Sequence, residues 1–139
     1  MLMYILDTNV ISELRKAGKT HQNVKKWAER LPSASLYISV ISVLELEIGV
    51  LLTERRDKEQ GAILRAWMDR HVFPTFSGRV LAIDAAVAQR CATLHAPNPR
   101  SDRDALIAAT ALVHGLTVAT RNVADFERTG VGVVDPWEA

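Results

Sequence analysis

The sequence predicts a single α/β domain, a parallel sheet of about four to five strands with helices on both faces. Three observations carry this expectation. Short apolar, β-branched runs recur at residues 3–6, 36–40, 80–83 and 116–119, with a further edge-strand candidate at 131–134. Longer stretches whose apolar residues have helical spacing separate these runs. Strands that alternate with helices need a crossover each time, which gives a parallel sheet buried on both faces.

The composition fits such a domain. With 139 residues, 48% hydrophobic and 24% charged, the chain is long enough to bury one core without disulfides or a structural metal. Residues 1–139 are therefore expected as one domain. The single cysteine, Cys91, lies in an Ala-rich helical pattern that suits a small buried side chain. The N-terminus lacks the basic and long apolar regions of a signal peptide, and no apolar run is long enough to span a bilayer, so the expected location is cytoplasmic. A net charge of +1 excludes a strongly basic molecule, so any nucleic-acid contact must come from local patches.

Each element has a local signal. Residues 3–6 end abruptly at Asp7-Thr8-Asn9, which suits a buried strand with Asp7 at its carboxyl end, facing the crevice where ligands bind in α/β sheets. The competing reading is that Asp7, Thr8 or Asn9 caps the helix beginning at Val10. That helix runs to about Lys16, before Gly18. A second spans residues 22–31, with Val24, Trp27, Ala28 and Leu31 on one face, and stops at Pro32. After the strand at 36–40, Ser42 opens a helix carrying Glu45 in its first turn. The polar run 53–60 separates it from a helix bearing Ile63, Leu64, Trp67 and Met68, so the two form a helical hairpin. Asp84 caps an Ala-rich helix ending near His95, and residues 101–114 form the next, stopped by Gly115. The strand at 116–119 leads to Thr120-Arg121-Asn122-Val123-Ala124-Asp125-Phe126, a loop and short helix.

Four acids stand at comparable places. Asp7, Glu45, Asp104 and Asp125 each follow a strand or begin a helix, so all would converge at one sheet edge. Two carboxylates about 4 Å apart repel by roughly 1–4 kcal/mol, and a cluster of four calls for a cation. Oxygen-only ligation suits Mg²⁺, with Mn²⁺ as its substitute. Simpler readings exist. Ser42-x-x-Glu45 and Ser101-x-x-Asp104 both match a capping box, and Asp102 competes with Asp104 for the third place.

Together Tyr4-Ile5-Leu6-Asp7-Thr8-Asn9, Ser39-Val40-Ile41-Ser42-Val43-Leu44-Glu45, Asp104-Ala105-Leu106-Ile107-Ala108-Ala109-Thr110-Ala111 and Thr120-Arg121-Asn122-Val123-Ala124-Asp125-Phe126 resemble the PIN-domain ribonucleases. Within them the chain is most similar to VapC-type toxins of toxin–antitoxin pairs, including the FitB-like branch. The resemblance runs from Met3 to Trp137. It implies a metal-dependent endoribonuclease in which Asp7, Glu45, Asp104 and Asp125 match the family's acidic positions. It also implies that Asn9, Thr120 and Asn122 orient carboxylates or hold water beside the metal, and that a cognate antitoxin blocks the pocket.

On this reading the metal activates water for hydrolysis of an RNA phosphodiester. His21, His71, His95 and His114 lack zinc-like spacing and are expected to be structural or at the surface. RNA approaching the acids needs guiding cations, for which Arg100, Arg103 and Arg121 are the candidates and Arg15, Lys16 and Lys19 a possible extension. Trp27 and Trp67 fit helical apolar faces. The hairpin's apolar surface suits the antitoxin or a homodimer. Two alternatives stand beside this. A non-catalytic RNA- or partner-binding module would keep the fold without cleaving, and a haloacid-dehalogenase-like phosphatase would want a second Asp where Asn9 stands. No Walker motif is present, and Gly130-Val131-Gly132 falls too late for a dinucleotide fingerprint.

Overall fold

The computed structural model describes residues 2–16 and 18–139. At its centre lies β1 (Tyr4–Leu6), flanked in parallel by β2 (Leu36–Ser39) and β4 (Thr117–Ala119). β3 (Val80–Leu81) pairs with β2, and β5 (Val133–Val134) with β4, giving the order β3-β2-β1-β4-β5. All five expected strands are present. The chain builds outward from β1 through β2 to β3, then crosses back to β4 on the other side. That reversal lies beside β1, and a crevice opens at the carboxyl ends of strands where the order reverses.

Side-chain alternation along β1 divides the core. Ile5 packs with Val87, Cys91, Leu94 and Ala105 on one face, while Tyr4 and Leu6 pack with Val10, Trp27, Ile38 and Leu46 on the other. The first face carries α6 (Ala85–His95) and α7 (Asp102–His114). The second carries α1 (Thr8–Leu14), α2 (Gln22–Glu29), α3 (Val40–Arg56) and α4 (Lys58–Trp67). A wide π turn, Met68–Val72, and a single helical turn α5 (Phe73–Thr75) extend α4 toward β3.

Local signals hold at several ends. Asp84 caps α6 by accepting the Val87 N–H at 3.0 Å, and Gly115 ends α7 with φ +69°, where a side chain would be strained. Cys91 is buried, and burial pushes its thiol up. Buried Glu13 accepts from His21 N–H at 2.9 Å and Lys16 Nζ at 3.0 Å, which ties the end of α1 to the start of α2. These bonds hold the Glu13 carboxyl below its usual range. No helix among the described residues is long and apolar enough to cross a membrane.

Two boundaries differ from expectation in the hairpin. α3 begins at Val40, capped by the Ser39 hydroxyl, and not at Ser42. The polar run 53–60 is helical except at Asp57, which caps α4 through bonds to Glu59 and Gln60 N–H groups. Polar residues there form the solvated side of two helices. The hairpin leaves Leu44, Leu51, Leu52 and Ile63 exposed. Its helices meet closely at Gly61, where an added Cβ would lie 2.5 Å from the Glu54 Cα. Alanine normally strengthens a helix interior relative to glycine. Gly61→Ala is expected to do the opposite, costing about 1–3 kcal/mol through backbone overpacking, seen as a fall of several degrees in the thermal midpoint.

Candidate active site

The pairing of β1 with β4 continues one residue beyond the strand, because Asp7 N–H donates to the Ala119 carbonyl at 2.9 Å. Asp7 is thereby fixed at the carboxyl edge, 6% exposed. Its Oδ1 accepts the Thr8 N–H and its Oδ2 the Thr120 hydroxyl, each at 2.8 Å. Asp7 is also the N-cap of α1, so both readings of this residue hold. The Asn9 amide lies 3.4 Å from both Asp7 Oδ2 and Thr120 Oγ1, and its carbonyl accepts the Arg121 N–H at 3.2 Å. Asn9 and Thr120 thus orient the carboxylate. Asn122 takes part through its backbone, donating N–H to Thr120 Oγ1 at 3.0 Å.

Glu45 approaches from α3. Since Ser39 caps that helix, Ser42 and Glu45 lie past its start and form no capping box. Ser42 is fully buried, its Oγ 2.9 Å from Thr8 Oγ1, which lies 2.7 Å from Glu45 Oε1. Each hydroxyl has one proton. Thr8 therefore donates to the carboxylate and accepts from Ser42. The sequence reading gives neither hydroxyl a place beside the acids. The available signal was Ser39, a better-placed cap at the very end of the strand, which leaves Ser42 without that role.

Asp104 and Asp125 complete the edge. Ser101 makes no side-chain cap bond to α7, so its capping box with Asp104 is absent too. The Asp104 carboxyl is pushed up to about 6, first by burial and then by the charges of Asp7, Asp125 and Glu45, with no hydrogen bond offsetting them. Burial also raises Asp7, against the opposing bonds from Thr120 and Thr8, and Glu45 and Asp125 push it further up. All four acids thus share one field. They are not drawn into a tight cage, for among the described residues no three His, Cys, Asp or Glu side chains form a ready-made chelating group. Asp102 turns away, its side chain 91% exposed with Oδ1 3.4 Å from His95 Nε2.

The three expected RNA-guiding arginines all have internal partners. Arg103 Nη1 lies 3.6 Å from Glu45 Oε2, Arg100 donates to the Glu127 carbonyl at 3.1 Å, and Arg121 lies over the Trp137 ring at 5.2 Å. Only Arg103 touches an acid. One guanidinium at the rim leaves most of the negative field uncompensated. Oxygen donors in a field of this sign fit a hard divalent cation, which uses one or two carboxylates and keeps several waters. The open spacing suits that habit.

A parallel sheet with acids gathered at its carboxyl edge defines a class of α/β domains, and comparison with known proteins places the chain within it. The PIN domain model matches residues 4–132, and the chain belongs to the PIN-domain family. It is 38% identical over 141 residues to the VapC ribonuclease Y4jK of Sinorhizobium fredii, covering 98% of this chain and 99% of the relative. Toxin FitB of Neisseria gonorrhoeae is 36% identical, over 97% of this chain and 99% of its own. The crystal structure of FitAcB from that organism superposes with a TM-score of 0.89 at 34% identity, covering 99% of this chain and 100% of the other.

The raised Asp104 carboxyl has a measurable effect on stability. Between about pH 4 and 6 the folded chain holds a proton there that the unfolded chain releases, so this residue costs stability as pH rises through that window. In EDTA at pH 7, Asp104→Asn is expected to melt a few degrees above the wild type. The gap should close near pH 4. A variant that melts at or below wild type at neutral pH would contradict the repulsive field.

Proposed function

We propose that this chain is a metal-dependent endoribonuclease that hydrolyses RNA phosphodiester bonds as the toxin of a type II toxin–antitoxin pair. One observation carries the reading. Asp7, Glu45, Asp104 and Asp125 come from four separate segments into one field that holds the Asp104 carboxyl up to about 6. Such an arrangement costs folding stability, and chemistry at the edge is what that cost serves. The ribonuclease and toxin names of relatives alike over nearly the whole chain support the same reading.

Asp7, Glu45, Asp104 and Asp125 would hold Mg²⁺, or Mn²⁺ in its place. When bound, the ion stabilises charge on the reacting phosphate and lowers the proton affinity of water. The chain's own residues set the stage for this. Thr120 and the Thr8 N–H fix the two oxygens of Asp7, and the Thr8 hydroxyl aims Glu45. Arg103 is placed to meet a phosphate once Glu45 is engaged elsewhere. A cognate antitoxin and a second copy of the chain are the protein partners in this reading, and exposed Leu44, Leu51, Leu52 and Ile63 give them an apolar surface. The non-catalytic alternative leaves the mutually repelling acids without a purpose.

Purified protein is expected to cut a mixed RNA pool with Mg²⁺ or Mn²⁺ and to be silent in EDTA or as Asp7→Ala. Because ligating carboxylates must be ionised, cleavage should climb as pH rises through about 6, where Asp104 loses its proton. Thr8→Val should fold normally and lose about 10- to 100-fold in cleavage, the usual effect of removing a group that orients a ligand. Metal-independent cutting, or an Asp7→Ala protein as active as wild type, would refute the mechanism.

A further inference from the structure

Beyond Glu45 a cleft of about 230 Å³ opens between α1, α3 and α4 and runs to Trp67, past Thr8, Arg15 and Gly49. A second hollow of about 270 Å³ shares Arg15 and Trp67 and adds Arg70 and His71. A path that passes Arg15 and then Arg70 therefore leads away from the acids. The exposed Arg15 side chain lies over the Trp67 ring, its Cζ 5.9 Å from the centroid, presenting a flat cation on an aromatic base.

Gly49 is the unexplained residue of this cleft. It sits in the interior of α3, where glycine weakens a helix relative to alanine. Its φ is not positive, and apart from its own helical backbone and chain neighbours nothing lies within 4 Å of where a Cβ would stand. Neither backbone conformation nor close packing calls for glycine, unlike Gly61 on the facing helix. A Cβ there would project into open space one helical turn from Glu45. A ligand approaching the helix backbone would account for its absence.

We propose that this cleft seats single-stranded RNA on one side of the scissile phosphate, with Arg15 on the backbone, the Arg15–Trp67 stack beneath a base, and Gly49 clearing the floor. The inference rests on the ribonuclease reading and deepens it. Arg15 and Arg70 are of the sign that draws a polyanion past the acids. Guanidinium and aromatic planes are the surfaces on which unpaired bases stack without strict sequence demand.

The test is fluorescence anisotropy with a labelled, random-sequence single-stranded RNA, using protein that carries Asp104→Asn so that nothing is cut. Arg15→Ala should weaken binding about tenfold and make the salt dependence shallower by about 0.7 in log–log slope, one phosphate contact on a single strand. Trp67→Leu should weaken it by a similar factor. Gly49→Leu should abolish most binding while the thermal midpoint holds or rises, which separates a filled cleft from a damaged fold. If the parent binds and all three variants bind equally well, the inference is overturned and the ribonuclease reading stands. Unchanged RNA affinity with lost inhibition by the cognate antitoxin would give the cleft to protein and also overturn it. If the parent binds no RNA and the wild type cuts none, the functional reading falls and the inference with it.

Discussion

The parallel pairing of β1 on both of its edges is the constraint from which the rest follows. A strand of three residues has little stability of its own, and β1 persists because β2 and β4 take its hydrogen bonds while two helical layers bury its alternate side chains. Its carboxyl end then has one place to go. The bond from Asp7 N–H to Ala119 holds the first acid at the edge, and the chain turns at once into α1. Thr120 reaches Asp7 from the β4 side, and Ser42 reaches Thr8 from beyond β2. The three central strands are thus stitched together by side chains at their carboxyl ends.

The edge so built works against the fold that builds it. Burial and neighbouring carboxylates raise Asp7 and Asp104 together, and the cation that meets the cluster among the described residues is Arg103, beside Glu45. Hydrogen bonds hold Asp7 and Glu45 in place without neutralising them. The functional reading gains from that imbalance, because a structural ion-pair network would have brought its own cations to the centre.

What the sequence disclosed follows the range of the interactions concerned. Strands, the Asp84 cap, the Gly115 stop and the acid at the end of β1 depend on neighbours a few residues away, so their signals are local and were read correctly. Ser42 was mistaken for a cap because its true partner, Thr8, lies 34 residues earlier. The sequence favours Asp104 over Asp102 because it directly precedes the apolar run 105–109, and although both fall in the first turn of α7, the helix's rotation sends one to the acids and the other to His95. The polar run 53–60 looked like a loop because a solvated helix face and a loop share a composition. Of the three expected guiding arginines Arg103 lies beside Glu45, while Arg100 and Arg121 are held by contacts with Glu127 and Trp137 that no local pattern encodes.

Glu13 adds a response to acid opposite to that of the sheet edge. Its carboxyl is held low by His21 N–H and Lys16, so its bonds persist at neutral pH and fail as acidity rises past its depressed range. Over the same descent Asp104 and Asp7 take up protons and cease to repel. Acidification would then quiet one end of α1 while slackening the other, from which Arg15 projects. Mild acid quiets the carboxylate edge while the Glu13 bonds still hold the far end of α1, and those bonds give way only at lower pH.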